Sequence, residues 1–149
     1  MWKDLELDVL MPDDSEQKVR MGDLCKQKTV LYFYPKDNTS GCTKEACDFR
    51  DNLNRINAKV KLVGVSPDSL KSHHSFKEKQ TLNFALVSDT QHLLAEEFAV
   101  WKEKSMYGRK YMGIERSTFV LDEAGNILHE WRKVKVPGHV DEVLKFLNE

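Results

Sequence analysis

The 149-residue chain has little cysteine and little proline: three thiols, Cys25, Cys42 and Cys47, and four prolines, Pro12, Pro35, Pro67 and Pro137, spread from end to end. Three cysteines are too few, and odd in number, for a secreted disulfide framework, and a chain of this length can form a core without staples. No apolar run approaches the roughly 18 residues that cross a bilayer. The opening Met1-Trp2-Lys3-Asp4-Leu5-Glu6 lacks the basic, then apolar, then small-residue order of a signal peptide. Nor does one charge dominate: 23 Lys+Arg stand against 24 Asp+Glu, a formal net charge of −1. That balance removes the electrostatic case for general nucleic-acid or membrane-surface binding. No repeat, low-complexity tract or Pro/Gly/Ser-rich linker divides the chain. These absences predict one soluble, cytoplasmic domain over 1–149 that acts on small molecules or on protein partners.

What is present is a set of buried-strand signals. Val30-Leu31-Tyr32-Phe33-Tyr34 is an unbroken β-branched and aromatic run stopped by Pro35, and Val60-Lys61-Leu62-Val63-Gly64-Val65 is a second. Between them Ala46, Phe49, Leu53 and Ile56 recur at helical spacing, with Lys44, Glu45, Asp48 and Arg50 on other faces, which predicts an amphipathic helix over 43–57. Strand, helix, strand at this spacing implies a parallel βαβ unit with a right-handed crossover. Helices over 69–80 and 91–98 flank a short strand over 84–87. A polar stretch follows, and then two β-rich runs, 117–121 and 127–131, are joined by a five-residue loop containing Gly125, the pattern of a hairpin. Val140, Val143, Leu144 and Leu147 give a closing helix its apolar stripe. This is the thioredoxin-like order: an α/β fold with a central mixed β-sheet flanked by helices on both faces.

Cys42 stands four residues before Ala46 and seven before Phe49, on the inward face at the first turn of the predicted helix. Unpaired N–H groups and the positive end of the dipole favour an anion there, which is how a reactive thiolate is made. Cys42 equally fits a small buried side chain, since free cysteine is among the most buried residue types. Cys47 adds a geometric constraint. On an ideal helix, positions i and i+5 differ by about 140° around the axis and about 7.5 Å along it, so their Cα atoms lie roughly 8–9 Å apart. A disulfide wants less than about 7 Å. Either the two thiols never meet, or the first turns of the helix unwind, which helix ends do at low cost. Zinc is a weaker option, because the spacing is not the usual Cys-x(2–4)-Cys and the five histidines show no matching ligand pattern.

The segment Tyr34-Pro35-Lys36-Asp37-Asn38-Thr39-Ser40-Gly41-Cys42-Thr43 contains Pro-x-x-x-Thr-x-x-Cys and resembles the active-site signature of the peroxiredoxins. Its continuation, Lys44-Glu45-Ala46-Cys47-Asp48-Phe49-Arg50-Asp51, is similar to the bacterioferritin comigratory protein (PrxQ) subfamily. The likeness runs on through Gly64-Val65-Ser66, Leu86-Val87-Ser88-Asp89, Glu97-Phe98-Ala99-Val100-Trp101 and Arg116-Ser117-Thr118-Phe119. The resemblance implies a peroxidatic role for Cys42, a resolving role for Cys47 through a Cys42–Cys47 disulfide, motif roles for Pro35 and Thr39, and Arg116 as the active-site arginine. It also implies reduction of hydrogen peroxide and organic hydroperoxides, recycling by thioredoxin or a related protein, and no metal or organic cofactor. Thiolate attack on a peroxide builds charge on the leaving oxygen, so donors from Thr39, Arg116 and the helix start would act in the transition state. Pro35 would narrow the pocket against water. Ser40 stands where the subfamily usually has proline, and Leu7-Asp8-Val9-Leu10 replaces its usual Ala-Pro-Asp-Phe entry. Cys25 lies outside the motif and reads as a structural or tolerated thiol. Monomer is the expected state, a weak dimer the alternative. Two rival functions remain at this level: a thiol-disulfide oxidoreductase, disfavoured by the lack of Cys-x-x-Cys, and a redox-regulated chaperone or binding module that exposes Ala46, Phe49 and Leu53 when the helix opens.

Overall fold

The computed structural model describes residues 1–56 and 59–148. In chain order the strands are β1 (Glu6–Leu10), β2 (Glu16–Arg20), β3 (Thr29–Phe33), β4 (Lys61–Ser66), β5 (Ala85–Ser88), β6 (Trp101–Met106), β7 (Arg109–Ile114), β8 (Ser117–Leu121) and β9 (Ile127–Trp131). The α-helices are α1 (Met21–Leu24), α2 (Ser40–Asn52), α3 (Leu70–Gln80), α4 (Leu93–Glu97) and α5 (His139–Leu147). Seven strands form one mixed sheet in the order β2-β1-β5-β4-β3-β8-β9. β3 runs parallel to β4 and β4 to β5, while β8 lies antiparallel to β3. The βαβ unit predicted from the two apolar runs is thus β3-α2-β4, and the predicted hairpin is β8-β9 with the expected bounds.

Alternation along β3 divides the core. Leu31 and Phe33 pack with α1 and α4 residues Met21, Leu24, Leu94 and Ala95 on one face. Val30, Tyr32 and Tyr34 pack with Ala46, Phe49, Phe76, Val143 and Leu144 of α2, α3 and α5 on the other. Both faces are therefore covered, which is why β3 reads as a continuous apolar run rather than an alternating one. Gly64 in β4 is required by its neighbour: a Cβ there would come within 3.0 Å of the Tyr32 ring.

Three expectations need correction. The helix predicted over 43–57 begins three residues earlier, because extended Thr39 (φ −89°, ψ 156°) caps it and the Thr39 carbonyl accepts Thr43 N–H at 2.8 Å. It also ends earlier, at Asn52, whose side-chain amide turns back to donate to the Asp48 carbonyl at 2.8 Å, a local bond that competes with helix continuation. Leu53–Arg55 is a 3₁₀ turn, Ile56 is buried beyond the helix, and position 57 lies outside the described residues. The helix expected over 91–98 shrinks to α4, since His92 is left-handed at φ 60°. The polar stretch before 117 holds a hairpin, β6-β7, whose turn pair Tyr107 and Gly108 both have positive φ, 50° and 77°, as a type I′ turn needs. A second unforeseen hairpin, β1-β2, forms the sheet edge.

Candidate active site

The site lies where β3 feeds α2. Tyr34 ends the buried strand, the chain turns through Asn38, left-handed at φ 62° as asparagine tolerates, and α2 starts at Ser40. Cys42 is the third residue of α2, on its buried face, and 2% exposed. Register brings its partner across: Phe33 pairs with Ser117 in the antiparallel β3-β8 ladder, so Arg116 meets the chain where β3 ends. The Arg116 carbonyl accepts Val134 N–H at 2.9 Å, which fixes the backbone behind the side chain.

The guanidinium of Arg116 forks. Nη2 donates to Cys42 Sγ at 3.3 Å and Nη1 donates to Glu45 Oε1 at 2.6 Å. Gly41 makes room for this fork, because a Cβ at that position would stand 3.3 Å from Arg116 Nη2. Glu45 is the member of this cluster that the sequence pattern does not point to: its spacing puts it on a polar helix face, yet it is fully buried. Its signal was the i, i+3 spacing from Cys42, which places both side chains on one side of the helix. Burial pushes the Glu45 carboxyl up to about 7, against the opposing pull of Arg116. Burial also works against the Arg116 cation, but Glu45 and Cys42 outweigh it and hold the guanidinium protonated. Glu45 Oε2 and Tyr32 Oη are buried without a hydrogen-bond partner among the described residues.

Thr39 and Pro35 lie between β3 and α2, in the segment that leads to Cys42. The Thr39 hydroxyl gives its proton to the Lys36 carbonyl at 2.8 Å, so toward a ligand it presents lone pairs rather than the expected donor. Pro35 lines a cleft of about 450 Å³ with Arg116, Lys102, Lys104, Glu115 and Lys133. Lys104 at its wall has its ammonium weakened first by burial and then by repulsion from Arg116.

Cys47 is half-buried one turn farther along α2, with its thiol donating to Gln80 Oε1 at 3.5 Å. All three cysteines are free. Cys25 packs in the α1/α4 side of the core, and burial pushes its thiol up to about 11 despite Lys61 and Thr29. One group of potential metal ligands occurs among the described residues, Asp37, Asp68 and His73, whose ligating atoms lie within 4.8 Å of one another. Hydrogen-bond donors from Tyr34, Ser66 and Ser72 already occupy its carboxylates, so it is a polar network of the protein itself.

Comparison with known proteins shows the family. The AhpC/TSA family pattern matches residues 3–130. The chain belongs to the AhpC/TSA family. Within it, the chain is 50% identical over 143 residues to Peroxiredoxin Bcp of Bacillus subtilis, covering 95% of this chain and 91% of that one. It is 41% identical over 140 residues to Peroxiredoxin Bcp of Escherichia coli K12, covering 93% and 90%. Among solved structures, bacterioferritin comigratory protein of Xanthomonas campestris superposes with a TM-score of 0.86 at 44% identity, covering 99% of this chain and 92% of that one. The Bcp/PrxQ relatives share the thioredoxin-like fold described above.

Proposed function

We propose that the protein is a thiol-dependent peroxidase that reduces hydrogen peroxide and organic hydroperoxides through Cys42. The Arg116 contact to Cys42 Sγ, held by buried Glu45, carries this reading. The X. campestris relative, whose structural study concerns alkyl peroxide reduction, supports the substrate class. The Cys42 thiolate attacks one peroxide oxygen, an S–O bond forms as the O–O bond breaks, and the leaving oxygen departs as water or alcohol after taking a proton. Cys42 is left as a sulfenic acid. Arg116 stabilises first the thiolate and then the charge on the departing oxygen. Backbone N–H groups at the start of α2 add to it, and the Thr39 lone pairs orient the peroxide hydrogen.

Cys47 then attacks the sulfenic sulfur, water leaves, and a Cys42–Cys47 disulfide forms. The helical spacing requires the first turns of α2 to open for this step. A thioredoxin-type dithiol returns both cysteines to thiols. Because both cysteines belong to one chain, the cycle runs in a monomer. No described helix is long and apolar enough to cross a membrane, and a reducing cytoplasm supplies the dithiol that the cycle consumes.

The test is a thioredoxin-coupled peroxidase assay on wild type, Cys42→Ser and Cys47→Ser, with peptide mapping of the oxidised protein. Cys42→Ser abolishes turnover and Cys47→Ser loses thioredoxin-dependent recycling. Turnover that survives Cys42→Ser, or an oxidised wild type without the 42–47 linkage, overturns the scheme.

A further inference from the structure

The loop that carries Pro35 and Thr39 is anchored by a group outside the site. Asp37 has a fully buried side chain. Its Oδ1 accepts the Tyr34 hydroxyl at 2.6 Å, and its Oδ2 accepts the Ser72 hydroxyl at 2.9 Å and lies 2.7 Å from His73 Nδ1. The other ring nitrogen of His73 lies 2.9 Å from the Val87 carbonyl. A carbonyl only accepts, so Nε2 carries a proton, and Nδ1 shares a buried hydrogen bond with the Asp37 carboxyl. The backbone of the same residue is held as well, since Asp37 N–H donates to Asp68 Oδ2 at 2.7 Å. Asp37 thereby ties the end of β3, α3 and β5 together. The next residues are left-handed Asn38 and Thr39, the cap of α2.

We propose that Asp37, paired with His73, is a positioning residue for the peroxide step: it fixes the Pro35–Thr39 loop so that the Thr39 hydroxyl and the Pro35 wall meet the peroxide at Cys42. The proposal rests on the peroxidatic reading of Cys42. Arg116 reaches Cys42 by a separate route, through Glu45 and β8, so loosening the loop disturbs where the peroxide sits and leaves the thiolate's own partner in place. Asparagine at position 37 can serve the same contacts, donating to Nδ1 of a neutral His73 and to Ser72 while its oxygen accepts from Tyr34. Alanine cannot.

The experiment uses the full chain with Asp37→Ala, Asp37→Asn and His73→Leu, the last leaving residues 34–42 unaltered. Stopped-flow fluorescence measures the hydrogen peroxide step and the later disulfide step, and iodoacetamide measures the bare reactivity of Cys42, all at a temperature where circular dichroism reports folded protein. We expect Asp37→Ala and His73→Leu to slow the peroxide step by about tenfold or more, the scale on which small misplacements act. Asp37→Asn is expected to stay within about threefold of wild type, and iodoacetamide reactivity to change less than the peroxide step in every variant. A fall of less than about fivefold in a folded truncation overturns the proposal. So does an equal fall in peroxide and iodoacetamide rates, which assigns Asp37 to packing alone. If Asp37→Ala does not fold, His73→Leu decides by the same criteria. Failure of the Cys42 reading is distinguished by peroxide turnover in Cys42→Ser.

Discussion

Arg116 and Glu45 form an ion pair at 2.6 Å in which the carboxylate is wholly buried and the guanidinium is 16% exposed. The pair sets the direction of the second guanidinium nitrogen, which points at Cys42 Sγ. Most of the site's preorganisation is therefore placed by a residue within α2 itself, one turn after the cysteine. In the proposed cycle, opening of α2 would carry Glu45 and Cys42 away together, so the movement that brings the thiols within reach would also dismantle the site.

Removing the guanidinium with Arg116→Met should lower the second-order rate constant for peroxide by about 10²–10³, the loss seen when a donor to a developing oxyanion is deleted. Arg116→Lys should recover only part, since a single ammonium cannot face Cys42 and Glu45 at once. Glu45→Gln keeps a hydrogen bond but not the charge and should cost about tenfold. In wild type Glu45 takes up a proton as pH falls through about 7, so the peroxide step should show an acid limb there that Glu45→Gln lacks. Stopped-flow rates from pH 5 to 9 provide the check, and identical profiles would remove Glu45 from the site.

The three thiols should separate by reactivity. Burial holds the Cys25 thiol up near 11, so iodoacetamide at pH 8 should leave Cys25 unlabelled until the protein is unfolded, while Cys42 reacts in the native state. Cys25→Ser should leave peroxide turnover unchanged. Mass-spectrometric labelling reads both, and native labelling of Cys25 would show that its part of the core opens.

How much of this was legible in sequence follows from where the information is local. The β3-α2-β4 unit and the β8-β9 hairpin announce themselves through apolar runs and a glycine-containing loop. The family motif marked Cys42, Thr39, Pro35 and Arg116, and the structure brings Arg116 to Cys42 from 74 positions away. Glu45 was not legible because a glutamate beside lysine and aspartate reads as solvated face, and only its burial against Arg116, 71 positions away, reveals otherwise. The β6-β7 hairpin was hidden because its strands are largely exposed and charged, so no buried face imprinted an alternation. The motif points to Thr39, but the direction of its hydroxyl depends on the Lys36 carbonyl, which no side-chain pattern encodes.

Gly41→Ala probes opening and attack together. Gly41 has ordinary helical φ, so alanine should strengthen the first turn of α2 by about 1 kcal/mol and make unwinding harder. Its Cβ would crowd Arg116 Nη2 at 3.3 Å. We expect disulfide formation about fivefold slower, the same 1 kcal/mol expressed as a rate, together with a smaller loss in the peroxide step. Hydrogen exchange should agree: amides of residues 42–49 exchange faster in the disulfide form than in the dithiol form. Equal protection in both redox states would mean that α2 does not open.

The pH dependence of stability should contain two opposed contributions that nearly cancel. Glu45 is raised by burial from 4.5 to about 7, so the folded state binds the extra proton, and its contribution is present below pH 4.5 and lost as pH rises through 7. His139 is lowered to about 4, first by burial and then by Arg116, while its Nε2 shares a 2.7 Å hydrogen bond with Thr118. Here the unfolded state binds the extra proton, and the contribution present above pH 6.5 is lost as pH falls through 4. Each shift corresponds to something on the order of 3 kcal/mol, with opposite slopes between pH 4.5 and 6.5. Wild type should therefore change little from these two groups across that window. Glu45→Gln should uncover the histidine slope and lose stability on acidification, and His139→Gln should uncover the glutamate slope and gain it. Urea midpoints at pH 4.5, 5.5, 6.5 and 7.5 test the pair together: three parallel curves would mean that neither group titrates between folded and unfolded chains as its surroundings dictate.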